Sequence, residues 1–203
     1  MLFDIGSNVG EWTSQNLNST DKIISIEASP TTFQKLKNRF VGNSKVDCLN
    51  YAVCNNNLED TTFYECPCDV LSTLNKNWFD DEKSRFYNSK YTPITVKTIT
   101  IDKLIELYGI PDLIKIDVES GEFDCVTSLT QKVPNLCFEW ASETNDITFK
   151  CLDYLSSLGF SNFYLQIGDT YTFRPSSFVS LQDVKEQLNK TTPKVEWGMI
   201  WCS

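Results

Sequence analysis

The sequence predicts an α/β chain: a mostly parallel sheet with helices on both faces. Apolar runs of strand length alternate with helix-period segments through nearly all 203 residues, which is the βα repetition of a sheet covered on both sides. The first run breaks directly into a glycine turn, and the last, Val195 to Cys202, has no helix after it. A chain of this length makes one ordinary domain, 1–203, able to bury roughly 70% of its unfolded surface.

In order along the chain, Leu2 to Ile5 is the first strand, ended by Gly6, and the helix Gly10 to Leu17 follows the turn. Lys22 to Ile26 is the second strand; Thr31 and Thr32 after Pro30 open a helix to Phe40, with Gly42 at its exit. Val46 to Asn50 is the third. The stretch Thr61 to Lys97 differs in kind, because Thr61 to Glu65 and Thr95 to Lys97 alternate while Trp78 to Tyr91 shows no steady period. It reads as an inserted hairpin and a mobile cover. Helix and strand then resume: Ile101 to Tyr108, Asp112 to Asp117, Glu122 to Leu129, Asn135 to Trp140, Asp146 to Leu158 with Gly159 behind it, and Asn162 to Ile167. Trp197 to Trp201 closes the list as a strand that can be inserted beside an earlier one in the reverse direction. With its first strand at residue 2, the domain reads as a piece excised from a longer multidomain polypeptide.

Charge and cysteine content narrow the function. A net charge of −9 and a pI near 4.6 argue against a protein that tracks phosphates, so no nucleic-acid partner is expected. No apolar run is long enough to span a bilayer, and a soluble, cytoplasmic protein is expected. Of eight cysteines, Cys48, Cys125 and Cys137 lie within apolar runs and read as packed thiols, not disulfides. Cys66-Pro67-Cys68 is one residue too tight for a zinc pair, and the chain has no histidine to complete a set.

The chemistry concentrates at three strand ends. The turn Asp4-Ile5-Gly6-Ser7-Asn8-Val9-Gly10 spaces its glycines four apart, where a dinucleotide turn wants three in G-x-G-x-x-G. Asn8 in the middle position favours a cofactor without pyrophosphate, and S-adenosylmethionine fits. Its ammonium would meet Asp4 or a backbone carbonyl, and its carboxylate the backbone N–H groups of the turn. Glu27 ends the second strand seventeen residues after Gly10, followed by Ala28 and Ser29; a carboxylate there accepts from both ribose hydroxyls at once. The third constellation is Asp117, Glu119 and Glu122, three acids within six residues, with Glu139 expected at the same edge from the neighbouring strand. Glu122 reads as a helix-starting acid. Asp117, Glu119 and Glu139 are the catalytic candidates, Asp117 first, and the same three could instead hold Mg²⁺ or Mn²⁺. The aromatics Trp78, Phe79, Phe86, Tyr87 and Tyr91 have the composition of a carbohydrate platform, or equally of a loop packed on the sheet.

Taken together, Asp4-x-Gly6-x-Asn8-x-Gly10-x-x-Thr13, Glu27-x-x-Pro30, Ala52-Val53, Thr98-Ile99-x-x-Asp102, Ile114-Lys115-Ile116-Asp117-Val118-Glu119 and Glu139 resemble the FkbM family of class I methyltransferases. The resemblance covers about the first 140 residues. It implies a Rossmann-like seven-stranded sheet with the last strand reversed, S-adenosylmethionine as methyl donor, and O-methylation of hydroxyls on sugars or on sugar-like and polyketide products. By the same resemblance Gly6, Asn8 and Gly10 border the methionine end, Glu27 takes the ribose, and Ala52 and Val53 approach adenine. The family's usual Asp-Val-Glu-Gly-Ala-Glu is here Asp117-Val118-Glu119-Ser120-Gly121-Glu122, and the histidine often found shortly after the acid of the fifth strand is absent. A base must then be a carboxylate, a tyrosine, a lysine or a metal-bound water. The expected acceptor is a deoxyhexose or related sugar in a growing glycan, and the longer polypeptide is expected to carry glycosyltransferase domains. Two other classes compete: a nicotinamide-dependent oxidoreductase, and a non-catalytic module that keeps the fold to bind a partner.

Overall fold

The computed structural model describes residues 1–56 and 59–203. Its main sheet has seven strands: β1 (Leu2–Ile5), β2 (Ile23–Ile26), β3 (Val46–Leu49), β7 (Leu113–Ile116), β8 (Leu136–Ala141), β9 (Phe163–Ile167) and β10 (Trp197–Cys202). They lie in the order β3-β2-β1-β7-β8-β10-β9, and only β10 runs against its neighbours, between β8 and β9. All seven expected strands are there, and the last is reversed. A second sheet holds β4 (Ala52–Val53), β6 (Thr92–Ile99) and β5 (Asp60–Glu65), with β5 and β6 antiparallel. This is the inserted hairpin, longer on its return strand than alternation alone indicates.

The helices are α1 (Glu11–Asn16), α2 (Pro30–Arg39), α3 (Asn77–Asp80), α4 (Ile101–Tyr108), α5 (Glu122–Val126), α6 (Asn145–Ser157) and α7 (Leu181–Leu188). Helix α2 starts one residue before the threonines, because Ser29 caps it by accepting from the Thr32 N–H at 3.1 Å and Pro30 takes the first turn. Helix α5 stops three residues short of expectation. There Thr127 Oγ1 and Ser128 Oγ donate to the carbonyls of Phe123 and Cys125, at 2.8 and 2.6 Å, and compete with the helical ladder. Helix α7 was not expected, although Ser180 and Asp183 form a full capping box at its start.

The core is the two faces of the central strands. Phe3, Ile5, Ile24, Ile114, Ile116 and Phe138 are fully buried with the inner sides of α4, α5 and α6, while Leu2, Ile23, Leu113, Met199 and Trp201 pack with Trp12 on the other face. The aromatic cover belongs to the interior too: Trp78 and Phe79 are 4% and 1% exposed and pack on Ala141 at the tip of β8. Phe86 meets Trp78 edge-on at 5.0 Å and Tyr91 stacks on Phe79 at 5.2 Å. Trp78 and Phe79 are thereby withdrawn from any sugar face and follow the packed-loop reading, whereas Phe86 and Tyr91 are partly buried and Tyr87 is exposed. The eight cysteines are all free thiols. Among the described residues no helix is long and apolar enough to cross a membrane.

Candidate active site

Strand register builds the site. Ile26, Ile5, Ile116 and Phe138 occupy one rung across β2, β1, β7 and β8. The next residue on each strand is therefore Glu27, Gly6, Asp117 and Glu139, all delivered to the carboxyl edge together. This edge flanks β1, where the chain order of the sheet reverses, the place where open α/β sheets bind ligands.

A cavity opens there, bordered by Gly6, Ser7 and Asn8 from the first turn, by Glu27 and Ala28, by Ala52 and Val53, and by Asp117 and Glu119. Nine of the predicted site residues thus share one space. Four others lie outside its wall. Asp4 is fully buried beneath the turn, accepting from Thr13 Oγ1 at 2.6 Å and lying 3.2 Å from the Lys115 ammonium. Gly10 caps α1 at φ +85°, where a Cβ would sit 2.4 Å from the Phe40 ring and 2.8 Å from Leu36, so its smallness serves packing. Ser29 is occupied as the cap of α2 and by its hydroxyl bond to Glu65 at 2.5 Å. Glu139 stands beyond the cavity wall but joins its acids.

Gly6 is required by a close approach. A Cβ at this position, φ +72°, would lie 1.7 Å from the Asp117 carbonyl, so the first turn and the loop after β7 touch backbone to backbone. The turn also overturns one expectation. The N–H groups of Gly6 and Ser7 both donate to the Ile26 carbonyl, that of Asn8 to Glu27, that of Val9 to Asn8 Oδ1, and that of Gly10 to the Ser7 carbonyl. All five are used within the protein, and none is left for a ligand carboxylate.

Glu27 is nearly buried, and its two oxygens each accept one backbone N–H, from Asn8 and from Ser29, both at 2.9 Å. Burial still outweighs those bonds and pushes its carboxyl up to about 7. Each oxygen has capacity to accept one further hydrogen bond, as from a hydroxyl.

The opposite wall is a charge cluster. Carboxylate oxygens of Asp117, Glu119 and Glu139 lie within 4.8 Å of one another. Burial first, and then the facing acids, raise Glu119 and Glu139 well above the ordinary carboxylate range. The cation of this wall is Lys115, buried within β7 and 3.3 Å from Asp117, with a hydrogen bond to the Gly6 carbonyl at 3.0 Å. Two attractive carboxylates overcome its burial and raise its pKa, so it stays charged. Glu122 is structural as expected: it begins α5 and accepts the Val118 N–H at 3.1 Å, with burial raising it to about 7. Asp169, from the loop after β9, is raised to about 6 by burial and by Asp117. Lys115, Asp169 and the cavity residues Trp12 and Tyr171 escaped the sequence reading; for Lys115 the signal was there, a lysine inside an apolar strand two residues before an acid and hence on its face.

The sequence model of the family described as "Methyltransferase FkbM domain" matches residues 4–161. Among solved structures, the chain is similar to a precorrin-6y C5,15-methyltransferase from Geobacter metallireducens GS-15, at a TM-score of 0.49 and 10% identity, covering 100% of this chain and 78% of that one. It is likewise similar to fibrillarin from Aeropyrum pernix with natively bound S-adenosyl-L-methionine, at a TM-score of 0.48 and 10% identity, covering 100% and 65%. Comparison with curated proteins returns no match.

Proposed function

Because this chain belongs to the FkbM methyltransferase family, we propose that it carries a methyl group from S-adenosylmethionine to a hydroxyl of a sugar, a deoxyhexose within a glycan being the expected acceptor. The observation that carries the donor half is the placement of Glu27 over the Gly6 turn, in one cavity with Asp117. A donor of this kind suits the residues present: Glu27 accepts from the ribose hydroxyls, Ala28, Ala52 and Val53 offer an apolar slot for adenine, and Asp117 meets the ammonium in place of the buried Asp4. When bound, it supplies an electrophilic methyl on a sulfonium. Asn8, left-handed at φ +49° where a dinucleotide turn has glycine, counts against the nicotinamide alternative.

The chain's own residues then have two tasks, to exclude water and to take one proton from the acceptor oxygen. Asp117, assisted by Glu119 and Glu139, is the base. Burial and mutual repulsion raise the carboxyls beside it above the ordinary carboxylate range, which favours their holding a proton close to the acceptor oxygen. A second reading is favoured by the spacing of the three acids, which suits a hard divalent cation such as Mg²⁺ or Mn²⁺. Such an ion would lower the pKa of the acceptor hydroxyl.

Calorimetric titration with S-adenosylmethionine and S-adenosylhomocysteine tests the donor. Mass spectrometry for the gain of one methyl on deoxyhexose methyl glycosides, before and after dialysis against a chelator, tests the acceptor and the metal. Absence of heat with both ligands refutes the methyltransferase reading for this chain, and no gain of mass on any glycoside refutes the sugar hydroxyl.

A further inference from the structure

Just past β7, Glu119 and Ser120 stand in consecutive left-handed backbone conformations, at φ +55° and +68°. Neither is glycine, and residues with a Cβ enter that region singly because the Cβ crowds the following carbonyl. Their support comes from the segment between β5 and α3. Thr73 Oγ1 donates to the Glu119 carbonyl at 2.6 Å. Asn75 Nδ2 donates to the Ser120 carbonyl at 3.2 Å and to Ser120 Oγ at 2.9 Å. Thr73 Oγ1 also accepts the Asn75 N–H at 2.9 Å, which joins the two side chains into one clamp. The clamp has a firm base: Thr73 is fully buried, and its own N–H and carbonyl both bond to Tyr64 on β5. Ser72 and Leu74 border the cavity, whereas Thr73 and Asn75 between and beside them do not.

We propose that Thr73 and Asn75 are positioning residues for methyl transfer: by holding Glu119 and Ser120 left-handed they fix where the Glu119 carboxylate meets Asp117 and Glu139. The role of those acids rests on the function proposed above; the clamp does not. A strained conformation held from outside the loop is a recurrent property of active sites, and here the strain falls on the residue bearing the carboxylate. Loss of the clamp releases the turn to ordinary backbone angles and carries Glu119 away from its partners.

The test compares Asn75→Ala and Thr73→Val with the double variant Asn75→Ala/Ser120→Gly, because glycine adopts the left-handed region without support. In Asn75→Ala, amide hydrogen exchange over residues 118–122 is expected to quicken at least about tenfold. Affinity for S-adenosylhomocysteine should stay within about threefold, and kcat on deoxyhexose methyl glycosides should fall roughly tenfold with little change in KM. Ser120→Gly should then restore most of kcat. A residue that merely anchors the cover gains nothing from glycine at 120, so a double variant no better than Asn75→Ala overturns the proposal. Unchanged exchange over 118–122 in Asn75→Ala overturns it as well. Thr73→Ser, which keeps the hydroxyl, should match the parent where Thr73→Val does not, even if Asn75→Ala folds poorly. Should the parent methylate no glycoside, the sugar reading fails while the exchange comparison still decides the clamp.

Discussion

Two carboxylate environments face each other across one cavity, and they are built on opposite plans. At the tip of β2, Glu27 is alone and bonded on both oxygens by backbone N–H groups. Beyond β7 and within β8, Asp117, Glu119 and Glu139 face one another with the buried Lys115 beside them. The first is complete before any ligand arrives and serves to hold. The second is left with excess negative charge that a proton, a cation or a polarised acceptor must absorb, and such unresolved charge belongs where chemistry occurs.

Asp117→Ala tests the second plan with the largest expected effect. Turnover should fall by about 10² to 10⁴, while the fold persists and S-adenosylhomocysteine, losing its ammonium contact, binds roughly tenfold more weakly; turnover near the parent level would remove Asp117 from the mechanism. Gly6→Ala attacks the seam between the two plans. With a Cβ 1.7 Å from a backbone oxygen, the loops must part, and we expect a loss of roughly 3 kcal/mol or more, read as a lower Tm in thermal denaturation.

Glu27→Gln probes the holding site. It keeps the shape but exchanges a charged acceptor for a neutral one, so S-adenosylhomocysteine should bind about 10- to 100-fold more weakly. The parent's affinity should also decline as pH falls through about 7, where Glu27 takes up a proton, and the Gln variant should show a flat profile. A pH-independent parent would place Glu27 outside the ribose contact.

The last expected effect concerns the stability of the ligand-free fold and leaves both plans intact. Glu27, Glu119 and Glu139 have folded pKa values raised above the unfolded value, so the folded state keeps protons that the unfolded state has released, for Glu27 between about pH 4.5 and pH 7. Stability of the ligand-free protein should therefore fall as pH rises across that window, on the order of 3 kcal/mol from Glu27 alone. Differential scanning fluorimetry at both ends should show the lower Tm at the alkaline end. Saturating S-adenosylhomocysteine should recover part of it by binding only the folded state. Equal Tm values across the window would mean that these carboxyls stay charged in the folded protein.

Much of this was legible in the sequence because strand register is simple. Acids that end apolar runs on adjacent parallel strands must arrive at one edge, which placed Glu27, Asp117 and Glu139 without any knowledge of their contacts. Partner choice was less legible. Asp4 could be read as a ligand only because nothing local shows that Thr13, nine residues on, bonds one of its oxygens and that Lys115, on another strand, pairs with the other. The turn's N–H groups looked free because their acceptor, Ile26, lies on β2. Composition marked the aromatic cover correctly as unusual but carried no sign of which way its rings face. The Thr73 and Asn75 clamp joins segments more than forty residues apart and leaves no pattern at all. Helix α7 is a different case, since its capping box stood in plain view.

The two glycines of the first turn differ in what surrounds them, and this sets their evolutionary freedom. At Gly10 the obstacles are the side chains of Phe40 and Leu36, so a smaller residue at either position relieves the contact of an alanine there and leaves only the left-handed backbone strain at φ +85°. At Gly6 the obstacle is main chain, which no substitution elsewhere can trim. Position 6 is thus closed to stepwise drift.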